Sequence, residues 1–281
     1  MYPNLQHSKL TTLEAAGAMI PDGARLALGG NVLHRAPMAM VRELVRQRKR
    51  GLRLIKTAGA HDIDLLSAAG CAASVDAGFV SYETEYGLAM HYRRAVEAGM
   101  VQGNEHACYT VICALRAAAS GAPFMPVSGL KAGDLIHAAD YFRVINDPFS
   151  GAPITVVQAI VPDVAVIHVQ ACDEDGNAII SGPAYEDVLM SRAAKQVIIT
   201  TERIVPKSRI RMRPEAVSIP HFLVSAVVVV PKGAAPCSCE YEYEADHKSL
   251  KSFKQLKATE EILAYVDGYA RQDRQGKGGF R

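Results

Sequence analysis

A loop of two glycines and an asparagine, Gly29-Gly30-Asn31, follows an apolar run and is the first candidate for chemistry. Glycines let the backbone approach a ligand closely, and their N–H groups can donate to a developing oxyanion. Arg35 precedes Pro37, a residue that suits a first helical turn, and its guanidinium could bind a carboxylate or phosphate as a fork. A tight strand-to-helix turn and a structural ion pair fit the same residues, so both interpretations stay open.

Glu105 is the second candidate. Asn104 can cap a helix that runs from Glu105 to Ser120, and Gly121 would end it. A carboxylate at that helix N-terminus is stabilised as an anion. A surface residue that merely complements the helix dipole fits the pattern as well.

Motifs for several other kinds of chemistry are absent from the sequence. It contains no GxxxxGK[ST], no GxGxxG after a strand, no G-x-S-x-G and no HExxH, so a nucleotide-binding loop, a hydrolase elbow and a zinc site are not indicated. Of the six cysteines only Cys237 and Cys239 are close together, and this spacing alone is a weak metal signal. We expect idle thiols in a reducing cytoplasm and no bound metal.

Charge and hydropathy narrow the function further. The chain has 31 basic and 29 acidic residues, a net charge of +2, so nucleic acid is not the expected partner. The longest apolar run, 222–231, is far shorter than the ~20 residues that a membrane span needs. We therefore expect a cytoplasmic protein without a membrane segment.

Strand-like apolar runs alternate with helical patterns along the chain. This alternation predicts an α/β fold with an open, mostly parallel sheet and helices on both faces. Ligands bind at the carboxyl ends of the strands in such sheets, where residues 29–37 would lie. The predicted strands cover residues 25–28, 52–56, 74–80, 154–160, 163–169, 196–200 and 224–230, and the predicted helices cover residues 38–50, 61–69, 105–120, 185–195 and 249–269. We expect residues 1–281 to form a single domain with a frayed tail from about residue 271.

Six segments, in order, give the chain a resemblance to the α subunit of family I CoA-transferases, of the glutaconate CoA-transferase type. Gly29-Gly30 with Arg35-x-Pro37 opens the series, and residues 115–126, LRAAASGAPFMP, are the most specific match. The other matching segments are residues 78–89, 93–99, 163–168 with 201–204, and 231–236. The resemblance covers roughly residues 10 to 246 and implies the fold shared by CoA-transferases and some sugar-phosphate isomerases.

The resemblance implies an enzyme that moves CoA between carboxylic acids through a glutamyl-CoA thioester. In that family the glutamate belongs to a β subunit, in a Glu-Asn-Gly or Glu-Ser-Gly context that this chain lacks. We therefore expect a β-subunit partner in an α2β2 or larger assembly, and coenzyme A as substrate with no bound cofactor. Gly29, Gly30, Asn31, Arg35 and Ser81 would line the substrate cleft. Asn31 departs from the bulky apolar residue that is frequent there.

Three alternatives stay open. A sister branch opens or hydrolyses CoA-linked rings with an α-subunit glutamate as base, for which Glu105 is the candidate. A sugar-phosphate isomerase or sensor of the same fold would act alone, and a third possibility is a non-catalytic subunit.

Two groups of basic residues could meet CoA phosphates, and one acidic run needs an assignment. The first basic group, Arg46 to Arg50, otherwise suits the end of a helix. The second, Arg209, Arg211 and Arg213, would share one face of an extended segment. The alternating acidic run at 240–246 is assigned to an edge strand or a solvated face.

Overall fold

The computed structural model describes residues 8–128, 136 and 139–274, so most of the tail predicted to fray lies outside the described residues. Its central sheet is built from the strands β1 (Arg25–Leu28), β2 (Leu52–Ile55), β4 (Ala72–Ala77), β6 (Gln102–Glu105), β10 (Val164–Cys172), β11 (Ala178–Ile179), β12 (Gln196–Ile204) and β13 (Val224–Val229). Seven of these strands are parallel, in the order β13-β12-β10-β1-β2-β4-β6, and β11 is antiparallel to β10.

Two small sheets accompany the central one. Their strands are β3 (Ala58–Gly59), β5 (Phe79–Val80), β7 (Phe124–Pro126), β8 (Phe142–Asn146) and β9 (Pro153–Gln158). Strands β3 and β5 pair in parallel, and β7-β9-β8 form an antiparallel sheet. The predicted strand at 154–160 therefore exists but lies outside the central sheet, because its hydrogen bonds go to β7 and β8.

Helices cover both faces of the central sheet, as predicted. In the described part they are α1 (Leu13–Ala18), α2 (Met38–Arg46), α3 (His61–Ala68), α4 (Glu83–Tyr86), α5 (Met90–Glu97), α6 (Cys108–Ala119), α7 (Asp187–Ala193), α8 (Lys207–Met212), α9 (His247–Gln255), α10 (Thr259–Gly268) and α11 (Ala270–Asp273). Leu26 and Leu28 belong to the core beneath α1, α2 and α3, whereas Ala27 and Ile55 belong to the core beneath α6 and α7. Side chains that alternate between two apolar layers are what a sheet covered on both faces requires.

The predicted helix at 105–120 is wrong at its start. Residues 102–105 form β6, whose Asn104 pairs in register with Asp76 of β4. The Asn104 side chain donates to the Asp76 carboxylate at 2.8 Å instead of capping a helix. Sheet pairing thus overrides the local capping signal, and α6 begins at Cys108.

Three further predictions need correction. The helix expected at 249–269 is interrupted where the Glu261 carboxylate accepts from the backbone N–H groups of Lys257 and Ala258. Gly78 interrupts the strand expected at 74–80. Residues 207–212 are helical rather than extended, and residues 240–246 form turns with one isolated bridge rather than an edge strand.

The structure describes no helix with both the length and the apolar character needed to cross a membrane. All six cysteines are free thiols. Cys108 is half-buried, and the other five are buried.

A buried histidine links α3 to the C-terminal helices. The His61 ring lies between the hydroxyls of Tyr82 and Tyr265, at 3.0 and 2.9 Å, with the Phe253 ring 4.5 Å away. Burial lowers the pKa of His61 to about 3, because the imidazolium would lose its hydration in this apolar setting.

The low pKa of His61 predicts a pH-dependent stability. The folded-state pKa of about 3 lies below the ordinary 6.5, so folding disfavours the proton and stability is lost as the pH falls from about 6.5 toward 3. We compare the free energy of unfolding of wild type with that of His61→Gln. The difference, wild type minus variant, should decrease by up to about 1.4 kcal/mol for each unit by which the pH is lowered through that window. The exposed His221→Gln variant is the control. If the free energy of unfolding of His61→Gln depended on pH as steeply as that of wild type, the low pKa of His61 would be contradicted.

Candidate active site

Four loops meet at the carboxyl edge of the central sheet, and backbone hydrogen bonds join them. The Val32 N–H, in the loop after β1, donates to Ala58 O after β2 at 3.0 Å. The Gly78 N–H, after β4, donates to Thr57 O at 2.9 Å. The Cys108 thiol, at the start of α6, lies 3.4 Å from the same Thr57 oxygen. The edge is therefore one connected surface.

Asp187 fixes the glycine loop. One carboxylate oxygen accepts from the Gly30 N–H at 2.7 Å, and the other pairs with the Arg35 guanidinium at 2.6 Å. The Arg35 guanidinium also donates to His168 O at 3.0 Å and to Pro183 O at 2.7 Å. Arg35 is buried, and both terminal nitrogens of its guanidinium donate to acceptors within the protein. The contacts favour a structural ion pair that orients the loop over binding of a substrate carboxylate by Arg35.

Hydrogen bonds within the chain occupy the backbone N–H groups of residues 29–32. The Gly29 N–H donates to Val166 O, the Asn31 N–H to His34 O and the Val32 N–H to Ala58 O, while the Gly30 N–H is held by Asp187. An oxyanion would have to displace one of these acceptors. The half-buried Asn31 amide has no hydrogen-bond partner within the described residues, so it can still donate to a ligand.

The loop after β1 and the residue Tyr185 beside it adopt unusual backbone conformations. Gly30 has φ +70°, and a Cβ there would lie 2.3 Å from His34 O. Val32, Arg35 and Tyr185 also have positive φ, at 45°, 51° and 48°. Non-glycine residues in this region cost on the order of 1–3 kcal/mol each and concentrate at functional sites.

Three residues that sequence reasoning missed surround this loop. The Thr57 hydroxyl donates to the Glu186 carboxylate at 2.7 Å, and Glu186 immediately precedes Asp187. Burial raises the pKa of the Cys108 thiol, and the nearby negative charge of Glu186 adds to the effect. Thr57 follows the predicted strand at 52–56, so a search of every strand end would have found it. Cys108 lies inside the predicted helix at 105–120, and only the correction of that helix places it at a strand end. Nothing in the sequence singles out Glu186.

Tyr185 extends the site toward solvent. Its ring stacks near His34, with centroids 6.5 Å apart, and lies 5.8 Å from the Arg35 guanidinium carbon. The ring is 40 % exposed. Burial of the remainder raises the pKa of its hydroxyl, so it stays protonated near neutral pH.

Ser81 follows β5, and Glu105 ends β6. The Ser81 N–H donates to Gly59 O at 2.9 Å, and its hydroxyl donates to Gly87 O at 3.0 Å. Glu105 is the last residue of β6 rather than the first of a helix, and its carboxylate is exposed. The Tyr141 hydroxyl donates to Glu105 O at 2.7 Å. Residues 29, 30, 31 and 35 are thus brought together around Asp187, while the contacts of Ser81 and Glu105 go to other segments of the edge.

One group of potential metal ligands exists among the described residues: His168, Glu202 and Cys239. The Glu202 carboxylate accepts from His168 Nε2 at 2.7 Å, from the Tyr243 hydroxyl at 2.6 Å and from the Lys232 N–H at 2.6 Å. Burial raises the pKa of Cys239 to about 12, so its thiol is not a ready thiolate ligand. These contacts describe an internal hydrogen-bond network beneath Arg35.

Residues 10–230 match the family model of the coenzyme A transferases. The chain belongs to this family. It is 30 % identical over 271 residues to the A-type subunit of the glutaconate CoA-transferase of Acidaminococcus fermentans, covering 90 % of this chain and 85 % of that protein. It is also 28 % identical over 262 residues to the cholesterol ring-cleaving hydrolase IpdA subunit of Mycobacterium tuberculosis, covering 90 % of this chain and 89 % of that protein.

An uncharacterized protein of Archaeoglobus fulgidus is 39 % identical over 249 residues, which cover 88 % of this chain. The chain spans only 56 % of the length of that protein.

Solved structures agree with the family. The crystal structure of the Acidaminococcus fermentans glutaconate CoA-transferase superposes with a TM-score of 0.87 at 30 % identity, covering 93 % of this chain and 88 % of that chain. The decarboxylase AibA/AibB superposes with a TM-score of 0.85 at 36 % identity, covering 93 % of this chain and 98 % of that chain. The predicted α/β fold and the resemblance to family I α subunits are confirmed.

The buried pair of Arg35 and Asp187 predicts a large cost when it is broken. Asp187→Asn keeps an acceptor for the Gly30 N–H but leaves the Arg35 charge unpaired, so the free energy of unfolding should fall by about 3–5 kcal/mol. Glu97→Gln, which breaks the exposed pair with Arg93, should cost at most about 1 kcal/mol. Chemical denaturation of the full chain measures both. If Asp187→Asn lowered the free energy of unfolding as little as Glu97→Gln does, the structural role of the Arg35–Asp187 pair would be contradicted.

Proposed function

We propose that this chain is the α subunit of a heteromeric CoA-transferase that moves CoA from an acyl-CoA to a carboxylic acid. The observation that carries the proposal is the rigid loop at the carboxyl edge, in which Asp187 orients Gly30 and Arg35 while the Asn31 amide can still bind a ligand. This arrangement suits a substrate carbonyl but supplies no Glu-Asn-Gly or Glu-Ser-Gly nucleophile. The nucleophilic glutamate therefore comes from a partner β subunit.

The proposed reaction splits one transfer into two displacements. The partner's glutamate carboxylate attacks the thioester carbonyl, and the CoA thiolate leaves to form a mixed anhydride. The thiolate then attacks the glutamyl carbonyl, which releases the first acid as a carboxylate and leaves a glutamyl-CoA thioester. The acceptor acid reverses these steps. In this scheme the Asn31 amide donates to the thioester oxygen, and Asp187 holds the loop that carries it.

Exposed apolar side chains support a partner at the same edge. Phe79 in β5, Leu88 in the loop after α4 and Tyr109 at the start of α6 are 44 %, 50 % and 45 % exposed. Exposed apolar side chains that cluster in this way mark interaction surfaces. An α2β2 or larger assembly would bury them. The six free thiols are consistent with a reducing cytoplasm, and we propose that location for the enzyme. We also propose that CoA is its substrate and not a bound cofactor.

Trapping the intermediate tests the transferase. The chain, purified with its partner subunit, is incubated with acetyl-, succinyl- or glutaryl-CoA and then with sodium borohydride or hydroxylamine. We expect inactivation that depends on acyl-CoA, and peptide mass spectrometry should find the modified glutamate on the partner. A modified glutamate on this chain would refute the proposal that the partner subunit supplies the nucleophile. Turnover of acyl-CoA with no adduct on either chain would refute the transferase mechanism.

A specific observation favours one second candidate, a ring-opening CoA-ester hydrolase. The Glu105 carboxylate is exposed at the carboxyl edge and lines a cavity of about 500 Å³ together with Asn104 and Tyr141. A carboxylate in that position can take a proton from water that attacks a ring carbonyl. The similarity to the IpdA subunit supports the same alternative.

Glu105→Gln separates the two candidates. General-base catalysis contributes about 10²–10⁴-fold, so the hydrolase would lose that much in kcat. The proposed transferase should lose less than tenfold, a change on the order of 1.4 kcal/mol in activation free energy. Glu97→Gln, on the exposed face of α5, is the matched control. A hundredfold loss confined to Glu105→Gln would replace the transferase proposal with the hydrolase.

A further inference from the structure

A polar groove of about 530 Å³ lies on the face of the central sheet, between β1, β2, β4 and β6 and the small β7-β9-β8 sheet. Its floor is built from successive cross-strand rows. Arg25, Arg53, Ser74 and Gln102 are register partners in one row, and Asp76 pairs with Asn104 in the next row toward the carboxyl edge. The floor of the groove is therefore cationic and polar at the strand starts. It continues along the strands toward the carboxyl edge, where the candidate active site lies.

Arg25 and Arg53 carry the charge of the groove. They are partners in the parallel register, both are exposed, and neither guanidinium has an acidic hydrogen-bond partner within the described residues. Asp163 accepts from the Arg25 backbone N–H at 2.9 Å and from Lys195 at 2.8 Å. Like charges opposite each other in a sheet destabilise it, and an anion between them relieves the repulsion. Arginine forks suit phosphate oxygens in particular.

An unsatisfied buried nitrogen faces the other end of the groove. His106 Nδ1 lies 2.9 Å from the Thr110 hydroxyl, which itself donates to Ala107 O, so Nδ1 is the donor. His106 Nε2 has no hydrogen bond and lies 3.4 Å from an Asp76 oxygen that already accepts from Asn104. The His106 side chain is 1 % exposed. Buried polar atoms are almost always satisfied, so a ligand hydroxyl or amino group fits here.

The groove continues toward Glu105. The cavity lined by Glu105 shares Gln102, Asn104 and Tyr141 with it. A strand rises about 3.3 Å per residue, so the arginine row at Gln102 lies roughly 10 Å from Glu105 along β6. CoA carries its phosphates at the end of the molecule remote from the thioester. Phosphate ligands set back from the carboxyl edge are therefore consistent with a thioester bound at that edge.

We propose that this groove binds the phosphorylated nucleotide end of the CoA thioester, with Arg25 and Arg53 as phosphate ligands and the pantetheine arm passing the His106–Asp76 end toward the carboxyl edge. The inference rests on the proposed function and adds to it where this subunit holds its substrate. A volume of about 530 Å³ falls within the range of ligand pockets, ~300–1,000 Å³.

The experiment compares a full substrate with one that lacks the nucleotide. Steady-state KM and kcat of the assembled enzyme are measured with an acyl-CoA and with the corresponding acyl-pantetheine. The double variant Arg25→Gln/Arg53→Gln should raise KM for acyl-CoA about tenfold or more, because it removes two charge-assisted contacts. Its KM for acyl-pantetheine and its kcat should stay within twofold of wild type, a change of about 0.4 kcal/mol at most.

Two further variants make the result decisive. Arg94→Gln/Arg271→Gln removes two exposed charges elsewhere and should leave both KM values unchanged. Arg209→Gln/Arg213→Gln tests the rival pair at α8 and the residue that follows it, which lines a separate depression of about 430 Å³. An acyl-CoA KM that is unchanged in the Arg25→Gln/Arg53→Gln enzyme, or that rises selectively with the rival pair instead, would overturn the groove assignment while leaving the transferase intact.

Direct binding separates the two proposals. Calorimetry of the assembled protein with adenosine 3′,5′-bisphosphate should show binding that Arg25→Gln/Arg53→Gln weakens about tenfold or more. Binding of this kind in a protein with no acyl-CoA turnover would uphold the groove and refute the proposed function. Equal binding by wild type and by the double variant would refute the groove, whatever the turnover.

Discussion

The carboxylate of Asp187 is the contact on which the candidate site depends. It joins the Gly30 N–H, the Arg35 guanidinium and the start of α7 in one buried cluster. A buried ion pair is costly unless further hydrogen bonds satisfy it, and here two carbonyl oxygens accept from further N–H groups of the arginine. The cluster therefore joins the loop after β1 to the α7 segment, and it keeps a strained backbone in one conformation.

The parallel sheet explains why this cluster lies where it does. Strands β1 and β10 are neighbours, so the loop after β1 and the segment after β10 leave the same edge side by side. Helix α2, which follows the loop, is anchored in turn: Arg42 makes a two-pronged ion pair with Asp273, at 2.9 and 2.6 Å. One buried charge pair thus holds the loop itself, and a second holds the helix that follows it. The Asn31 amide, Glu186 and the Glu105 carboxylate lie along the same edge of the sheet and carry the proposal of a partner-facing site.

Sequence reasoning located most of this edge but misread how some of its groups act. Glycines at 29 and 30 and an arginine at 35 predicted the correct loop, because their spacing after an apolar run reflects a strand-to-helix turn. The predicted oxyanion role of the glycine N–H groups assumed that these groups have no acceptor within the protein. Asp187, 157 residues away from Gly30 in sequence, supplies one. The helix expected to start at Glu105 was wrong for the same kind of reason, since pairing with β4 decides that segment.

By itself, the sequence determined the α/β class, most strands and helices, the family and the lack of the family's nucleophile motif. Periodicity and ordered motifs are local, so they can be read without coordinates. Only the tertiary structure decided that Arg35 is an internal anchor, that Glu186 and Thr57 belong to the site, and that Arg25 and Arg53 stand side by side. Each of these depends on contacts between residues that lie far apart in the chain or on neighbouring strands. No spacing rule encodes such contacts, because they follow from strand order and register.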